Sequence, residues 1–188
     1  FKNRVWDGKI RLFSYQTGQI YVGLYPYILK WCEDNDVQVV DGTKIQDTKV
    51  DDAKVDKFIE ALNIPFKVRD YQKEAFIHAV KKNRTLLLSP TASGKSLIVY
   101  LLVRFNILRL KEKKKKILIV VPTTSLVEQM YGDFEDYASA DPWKVSENCH
   151  RIYGGKDKTN EWPITISTWQ SIYKMQKGYF QQFGMVIG

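Results

Sequence analysis

Lys95 and Ser96 are the residues of this chain whose types and spacing could do chemistry. They close the stretch Ser89-Pro90-Thr91-Ala92-Ser93-Gly94-Lys95-Ser96. In a turn of small residues, successive backbone N–H groups can wrap an anion. A helix that begins there adds the positive end of its dipole. Lys95 would then reach the β- and γ-phosphates of a nucleoside triphosphate, and the Ser96 hydroxyl would complete a magnesium shell. Thr91, Ala92, Ser93 and Gly94 would supply the cradle. Ser89 stands where the G-x-x-x-x-G-K-[ST] pattern has its first glycine. The plainer reading is a polar turn whose lysine is merely solvated. The flanks argue against it, because the value of the motif lies in its strand-and-helix context.

Those flanks are the elements that must position the loop. Thr85-Leu86-Leu87-Leu88 reads as a short buried strand, and Leu97 to Val103 as a helix packed on a sheet. About one helix length upstream, Arg69-Asp70-Tyr71-Gln72-Lys73-Glu74-Ala75 starts a helix with Asp70 as its N-cap. Ala75, Phe76, Ala79 and Val80 make its buried stripe. Gln72 could bond two edges of an adenine at once, through its carbonyl acceptor and its amide donors, with Arg69 in support. By itself that motif reads equally well as an exposed polar helix start.

Downstream, Ile117 to Val121 is a continuous apolar run, as expected of a strand covered on both faces. It ends in Pro122-Thr123-Thr124-Ser125 and a helix through Leu126, Met130 and Phe134. Ligands of parallel sheets gather beyond the carboxyl ends of the strands, which places Thr123, Thr124 and Ser125 to touch phosphates. Further strands are predicted at Cys149–Tyr153, Ile164–Thr168 and Phe183–Ile187, with a helix opening at Trp169-Gln170-Ser171-Ile172. Gly154-Gly155 lets bare backbone approach a phosphate. The basic run Lys111 to Lys116 lies between a helix end and a strand and reads as a solvated connection. From residue 70 onward, strands alternate with helices, the signature of an α/β parallel sheet.

Residues 1–40 differ. Asp7-Gly8 and Thr17-Gly18 read as turns between strands. Pro26 opens a helix to about Glu33 with Tyr27, Ile28 and Trp31 on one face, and Val37–Val40 reads as a strand. Through Trp31, Lys2, Arg4, Lys9, Arg11 and Lys30 stand against Asp7 alone, a local charge of +4. Basic residues interleaved with Trp6, Phe13, Tyr15, Tyr21 and Tyr25 suit a nucleic-acid surface. They equally suit a solvated basic face over an aromatic core. Asp41 to Asp52 is polar and reads as a linker or loop, and residues 53–62 recover helical spacing. This gives a small basic α+β module over residues 1–50, with its linker from about 41, and an α/β domain over 51–188.

Composition bounds the rest. A formal charge of +8 and a pI near 9.3 favour an anionic partner, nucleic acid before a membrane surface. No apolar run approaches the ~20 residues of a membrane span, and no signal-peptide pattern opens the chain. Cys32 and Cys149 fit neither a disulfide framework nor a metal motif, and read as free thiols in a reducing cytoplasm. The first residue, Phe1, and the last strand-like run, which stops at Gly188, read as the ends of a fragment.

Taken in order, Arg69-Asp70-Tyr71-Gln72, Pro90 to Ser96, Val121-Pro122-Thr123-Thr124-Ser125-Leu126, Gly154-Gly155 and Thr168-Trp169-Gln170 resemble the first motor domain of a superfamily 2 helicase. In that family these are the adenine-reading glutamine motif and motifs I, Ia, Ib and Ic. Trp6-Asp7-Gly8-Lys9-Ile10-Arg11-Leu12 followed by Gly23-Leu24-Tyr25-Pro26 is similar to the module preceding the motor in phage recombination helicases. Those enzymes unwind branched DNA and R-loops and drive branch migration.

The resemblance implies a RecA-like fold and ATP with Mg²⁺ as cofactors. The implied partner is DNA, whether duplex, branched or single-stranded, with RNA in RNA–DNA hybrids as a further candidate. Arg69 and Gln72 would read adenine, Gly94, Lys95 and Ser96 would hold phosphates and magnesium, and Pro122, Thr123, Gly155, Thr168 and Gln170 would lie along the nucleic-acid groove. Arg4, Lys9 and Arg11 would add contacts from the small module. The family's acidic motif II is expected directly after the strand ending near Ile187, and a second motor domain with an arginine finger beyond it. This stretch alone is therefore expected to bind nucleotide without hydrolysing it. Two other classes stay open from the residues: a small-molecule kinase with the same phosphate loop, and a non-enzymatic nucleic-acid-binding module with a degenerate motor.

Overall fold

The structure, a computed structural model, describes residues 10–40, 48–154 and 161–188 of the 188-residue chain. The chain divides into two compact units, residues 1–46 and 47–188.

In the first unit, β1 (Phe13–Ser14) and β2 (Gln19–Ile20) form a small antiparallel hairpin. Its connection holds Gly18 at φ 64°, a left-handed value that glycine adopts without steric cost. A 3₁₀ turn at Val22–Leu24 leads into α1 (Tyr25–Asp34), with Pro26 in its first turn. The α1 helix forms as expected, with Tyr27 and Trp31 exposed and Cys32 buried. One expectation fails here. Val37–Val40 forms no strand, because no second strand lies beside it among the described residues to complete a ladder. The Asp7-Gly8 turn lies outside the described residues.

The second unit begins with α2 (Asp52–Ala61), capped by the Asp51 carboxylate accepting from the Ala53 N–H at 3.0 Å. Then follow α3 (Asp70–Lys82), α4 (Lys95–Glu112), β3 (Lys116–Val121), α5 (Thr124–Tyr137), α6 (Val145–Asn148), β4 (Cys149–Ile152), β5 (Ile164–Thr168), α7 (Trp169–Ile172), α8 (Lys177–Gln181) and β6 (Phe183–Ile187). The four long-range strands form one parallel sheet in the order β4-β5-β3-β6. It is the mixed α/β fold with a RecA-like parallel sheet that the motif order predicts.

Alternation along β3 covers the sheet on both faces. Ile117, Ile119 and Val121 point into the main core with Phe76, Tyr100, Leu101, Val127 and Phe134. Leu118 and Val120 point the other way, to Ile152, Ile172 and Met175. The continuous apolar run is the one-dimensional trace of that double burial. Cys149 lies in the main core, and burial pushes its thiol well above the ordinary range.

Two expectations are corrected in this unit. Thr85–Leu88 is not a strand: Leu87 packs on the core, while Leu86 and Leu88 are 82% and 89% exposed. A cavity of about 540 Å³, lined by Leu86, Leu87, Val186 and Ile187 among others, separates the segment from β6, so no ladder bonds form. Asp70 is the first helical residue of α3 rather than its cap. Arg69 takes the N-cap position, and its N–H donates to Gln72 Oε1 at 3.0 Å.

Candidate nucleotide and nucleic-acid site

The loop between residue 88 and α4 is held by its own side chains. Ser93 Oγ donates to the Pro90 carbonyl at 2.8 Å and shares a short hydrogen bond with Ser89 Oγ. The hydroxyl at the position of the missing first glycine is therefore a tie within the loop. Ala92 and Gly94 both take left-handed backbone, at φ 63° and 72°. For Ala92 this is local strain of about 1–2 kcal/mol, of the kind found where a loop must present its amides. Gly94 is the N-cap of α4, and a Cβ there would come within 2.4 Å of Gln72 Nε2. A side chain at position 94 would displace the Gln72 amide and would also be strained by the left-handed backbone.

Gln72 is the bridge between α3 and the loop. It is 5% exposed, accepts from Arg69 N–H and donates through Nε2 to the Ser93 carbonyl at 3.0 Å. Tyr71 donates to the same carbonyl at 2.9 Å, and Arg69 Nη1 donates to the Tyr71 hydroxyl at 3.1 Å. A primary amide has two N–H donors and a carbonyl oxygen two lone pairs, so one of each remains for a further partner.

Lys95 is exposed at the start of the 18-residue helix α4. Its ammonium donates to the Ser89 and Pro90 carbonyls at 3.1 and 2.7 Å. Both acceptors are neutral, and a phosphate oxygen in their place would add the attraction of a full negative charge to the ammonium. Ser96 follows with its hydroxyl 2.8 Å from the Tyr137 hydroxyl at the end of α5. Burial pushes the Tyr137 phenol above its ordinary range, and the Ser96 hydrogen bond pulls it back. Tyr137 is a site neighbour without a local sequence signal, 41 residues from Ser96. A helix N-terminus, an ammonium and a hydroxyl oxygen converge here. Their donor chemistry fits a polyphosphate carrying a divalent cation.

The nucleic-acid candidates divide. Pro122 and Thr123 emerge exposed just beyond β3, with Thr123 Oγ1 accepting from the Leu126 N–H at 3.3 Å as the cap of α5. Val121 pairs in register with Thr168 on β5, so both strands end on one rim of the sheet. The Thr168 side chain is buried, 2.9 Å from the Ser171 hydroxyl, while Gln170 is exposed. Gly154 lies just past β4, and Gly155, Arg4 and Lys9 lie outside the described residues. Arg11 is exposed in the first unit.

Comparison with known proteins agrees with this arrangement. Residues 65–187 match the family model described as type III restriction enzyme, res subunit. The chain is 34% identical over its whole length to the ATP-dependent DNA helicase uvsW of Enterobacteria phage T4, spanning 38% of that protein. It is 26% identical over 92% of its length to the DNA 3'-5' translocase XPB2 of Sulfurisphaera tokodaii, again 38% of that protein. The crystal structure of the UvsW helicase from bacteriophage T4 superposes with a TM-score of 0.81 at 33% identity. That match covers 96% of this chain and 65% of the other. The chain thus spans well under half the length of both named relatives. With the motif order, the parallel sheet and the family model in agreement over the second unit, the chain belongs to the superfamily 2 helicases, in the family of the type III restriction enzyme res subunit.

Proposed function

We propose that this chain is the front part of an ATP-dependent DNA helicase or translocase acting on duplex or branched DNA, with RNA–DNA hybrids as further substrates. Residues 1–50 serve as a basic DNA-binding module and residues 51–188 as a first RecA-like motor domain. The observation that carries the reading is the convergence at the start of α4. There Lys95, Ser96 and the left-handed loop meet the buried Gln72 beside the carboxyl ends of parallel strands. The named relatives, one a DNA helicase and one a DNA translocase, support it.

In this reading Thr91, Ala92, Ser93, Gly94 and Lys95 hold the phosphates of ATP, and Ser96 offers its hydroxyl oxygen to Mg²⁺. Magnesium would neutralise phosphate charge when bound. Pro122, Thr123, Gln170 and the backbone at Thr168 follow a nucleic-acid strand along the rim, and Gly155 is a further candidate contact to that strand. Arg4, Lys9 and Arg11 add sequence-independent phosphate contacts from the small module. The protein carrying this chain is expected to release phosphate from ATP at a rate that DNA increases. Absence of any DNA stimulation, at low salt and with several DNA structures, would overturn the assignment.

Gln72 provides a finer test. With one N–H and one lone pair beyond its loop contacts, its amide can meet the edge of an adenine while still holding Ser93. Gln72→Ala should weaken both ATP and GTP, because the loop loses an anchor, and ATP by about a further tenfold. That is the loss of roughly 1–3 kcal/mol when a buried polar partner is removed. Equal weakening in a binding titration would confine Gln72 to holding the loop.

A further inference from the structure

The short helix α7 and its C-cap Tyr173 carry an aromatic pair that has no role in the nucleotide site. Trp169 and Tyr173 are 53% and 56% exposed, one helical turn apart, with ring centroids 5.3 Å apart and planes tilted by 59°. Lys174 Nζ stands 5.5 Å from the Tyr173 centroid. The pair sits where the chain leaves β5, next to Thr168, whose register partner Val121 leads directly into Pro122 and Thr123. Charge along this stretch of the chain is one-sided. From residue 162 to residue 188 the sequence has no aspartate or glutamate, while Lys174 and Lys177 are both exposed.

Two large rings left in water, in a stretch of chain with lysines and without carboxylates, match a nucleotide in chemistry. A base offers a π-face to the rings, and its phosphate offers a charge to the lysines. Stacking of this kind is indifferent to base identity, because every base has such a face. We propose that Trp169 and Tyr173 form a stacking platform for an unpaired base of a nucleic-acid strand, with Lys174 and Lys177 taking the neighbouring phosphates. The proposal rests on the reading of this rim as a nucleic-acid path. It adds a contact to the bases where the rim residues offer contacts to the backbone. A base cannot enter between the rings, since a sandwich needs about 7 Å, twice the 3.4 Å stacking rise. It therefore stacks on the outer side of the pair.

The test is a titration of residues 1–188 with two single-stranded DNA 12-mers, one of deoxyadenosines and one of abasic spacers with the same phosphates, followed by anisotropy and tryptophan fluorescence. The deoxyadenosine strand should bind about tenfold more tightly than the abasic strand and quench fluorescence. Trp169→Ala/Tyr173→Ala should bind the deoxyadenosine strand about tenfold more weakly and leave the abasic strand unchanged. Trp169→Phe keeps a ring, so it should hold most of the affinity and lose most of the quenching. This variant decides the matter if the double substitution perturbs folding. Wild-type affinity for deoxyadenosine in the folded double variant, or undiminished quenching in Trp169→Phe, overturns the platform and leaves the rim reading standing. Binding of neither strand by the wild type overturns the platform and the rim reading together.

Discussion

Lys95→Ala should lower the affinity of this chain for ATP about a hundredfold and leave its thermal or urea midpoint nearly unchanged. The ammonium is exposed and donates only to two neutral loop carbonyls, so its removal leaves no buried group unpaired. Surface substitutions of that kind usually stay within about 0.5 kcal/mol. On the binding side, each hydrogen bond from an ionised donor is worth about 1.5–3 kcal/mol. Loss of one or two such bonds to phosphate oxygens corresponds to one to several powers of ten, and the helix amides retain the remainder. Lys95 should matter less for adenosine, which has no phosphate for it to reach. Titration of ATP and adenosine against the wild type and the variant separates the cases. Equal affinities for ATP would remove Lys95 from the phosphate site.

The largest expected effect on stability lies away from the site. Arg104 on α4 pairs with Asp141 at 2.9 Å, with side-chain exposures of 11% and 5%. Arg104 also donates to the Tyr100 hydroxyl at 2.5 Å and lies over the Trp143 ring at 4.5 Å. The second carboxylate oxygen of Asp141 accepts from the Trp143 N–H at 2.6 Å. Asp141→Ala leaves a guanidinium charge inside the protein with its counter-charge gone. Breaking a buried pair from one side costs about 3–5 kcal/mol. The urea midpoint should therefore fall steeply at constant slope. Arg104→Met/Asp141→Leu should recover much of the loss, because replacing both charges removes the desolvation cost with the attraction. A double variant as unstable as Asp141→Ala would show that packing around Trp143, rather than the unpaired charge, carries the effect.

Which parts of this were legible beforehand follows from the range of the forces involved. The β3 strand, the α4 helix and the small-residue loop between residues 89 and 96 could be read because each is specified by neighbours in sequence. A five-residue apolar run, a helical stripe and a Gly-Lys-Ser turn carry their physics locally. The order of short motifs from Arg69 to Gln170 extended this to the family and to the parallel sheet. Thr85–Leu88 misled for the opposite reason. Its apolar composition suits a strand, but a strand exists only when another backbone lies alongside, and β6 stands across a cavity from it. Val37–Val40 failed in the same way, since a ladder belongs to the partner strand as much as to the segment.

The sequence by itself determined that a small-residue turn ending in Gly94-Lys95-Ser96 sits at the head of a helix on an α/β scaffold, because a turn and a helix start need no distant partner. Only the tertiary structure decided what holds that loop. Gln72 reaches Ser93 across 21 residues, Tyr137 reaches Ser96 across 41, and Arg104 reaches Asp141 across 37. A hydrogen bond acts over about 3 Å, so such pairs exist only once packing has brought their elements together. The register of Val121 with Thr168 is of the same kind. It places Thr123 and Trp169 on one rim, a proximity that their 46-residue separation in the chain gives no means to foresee.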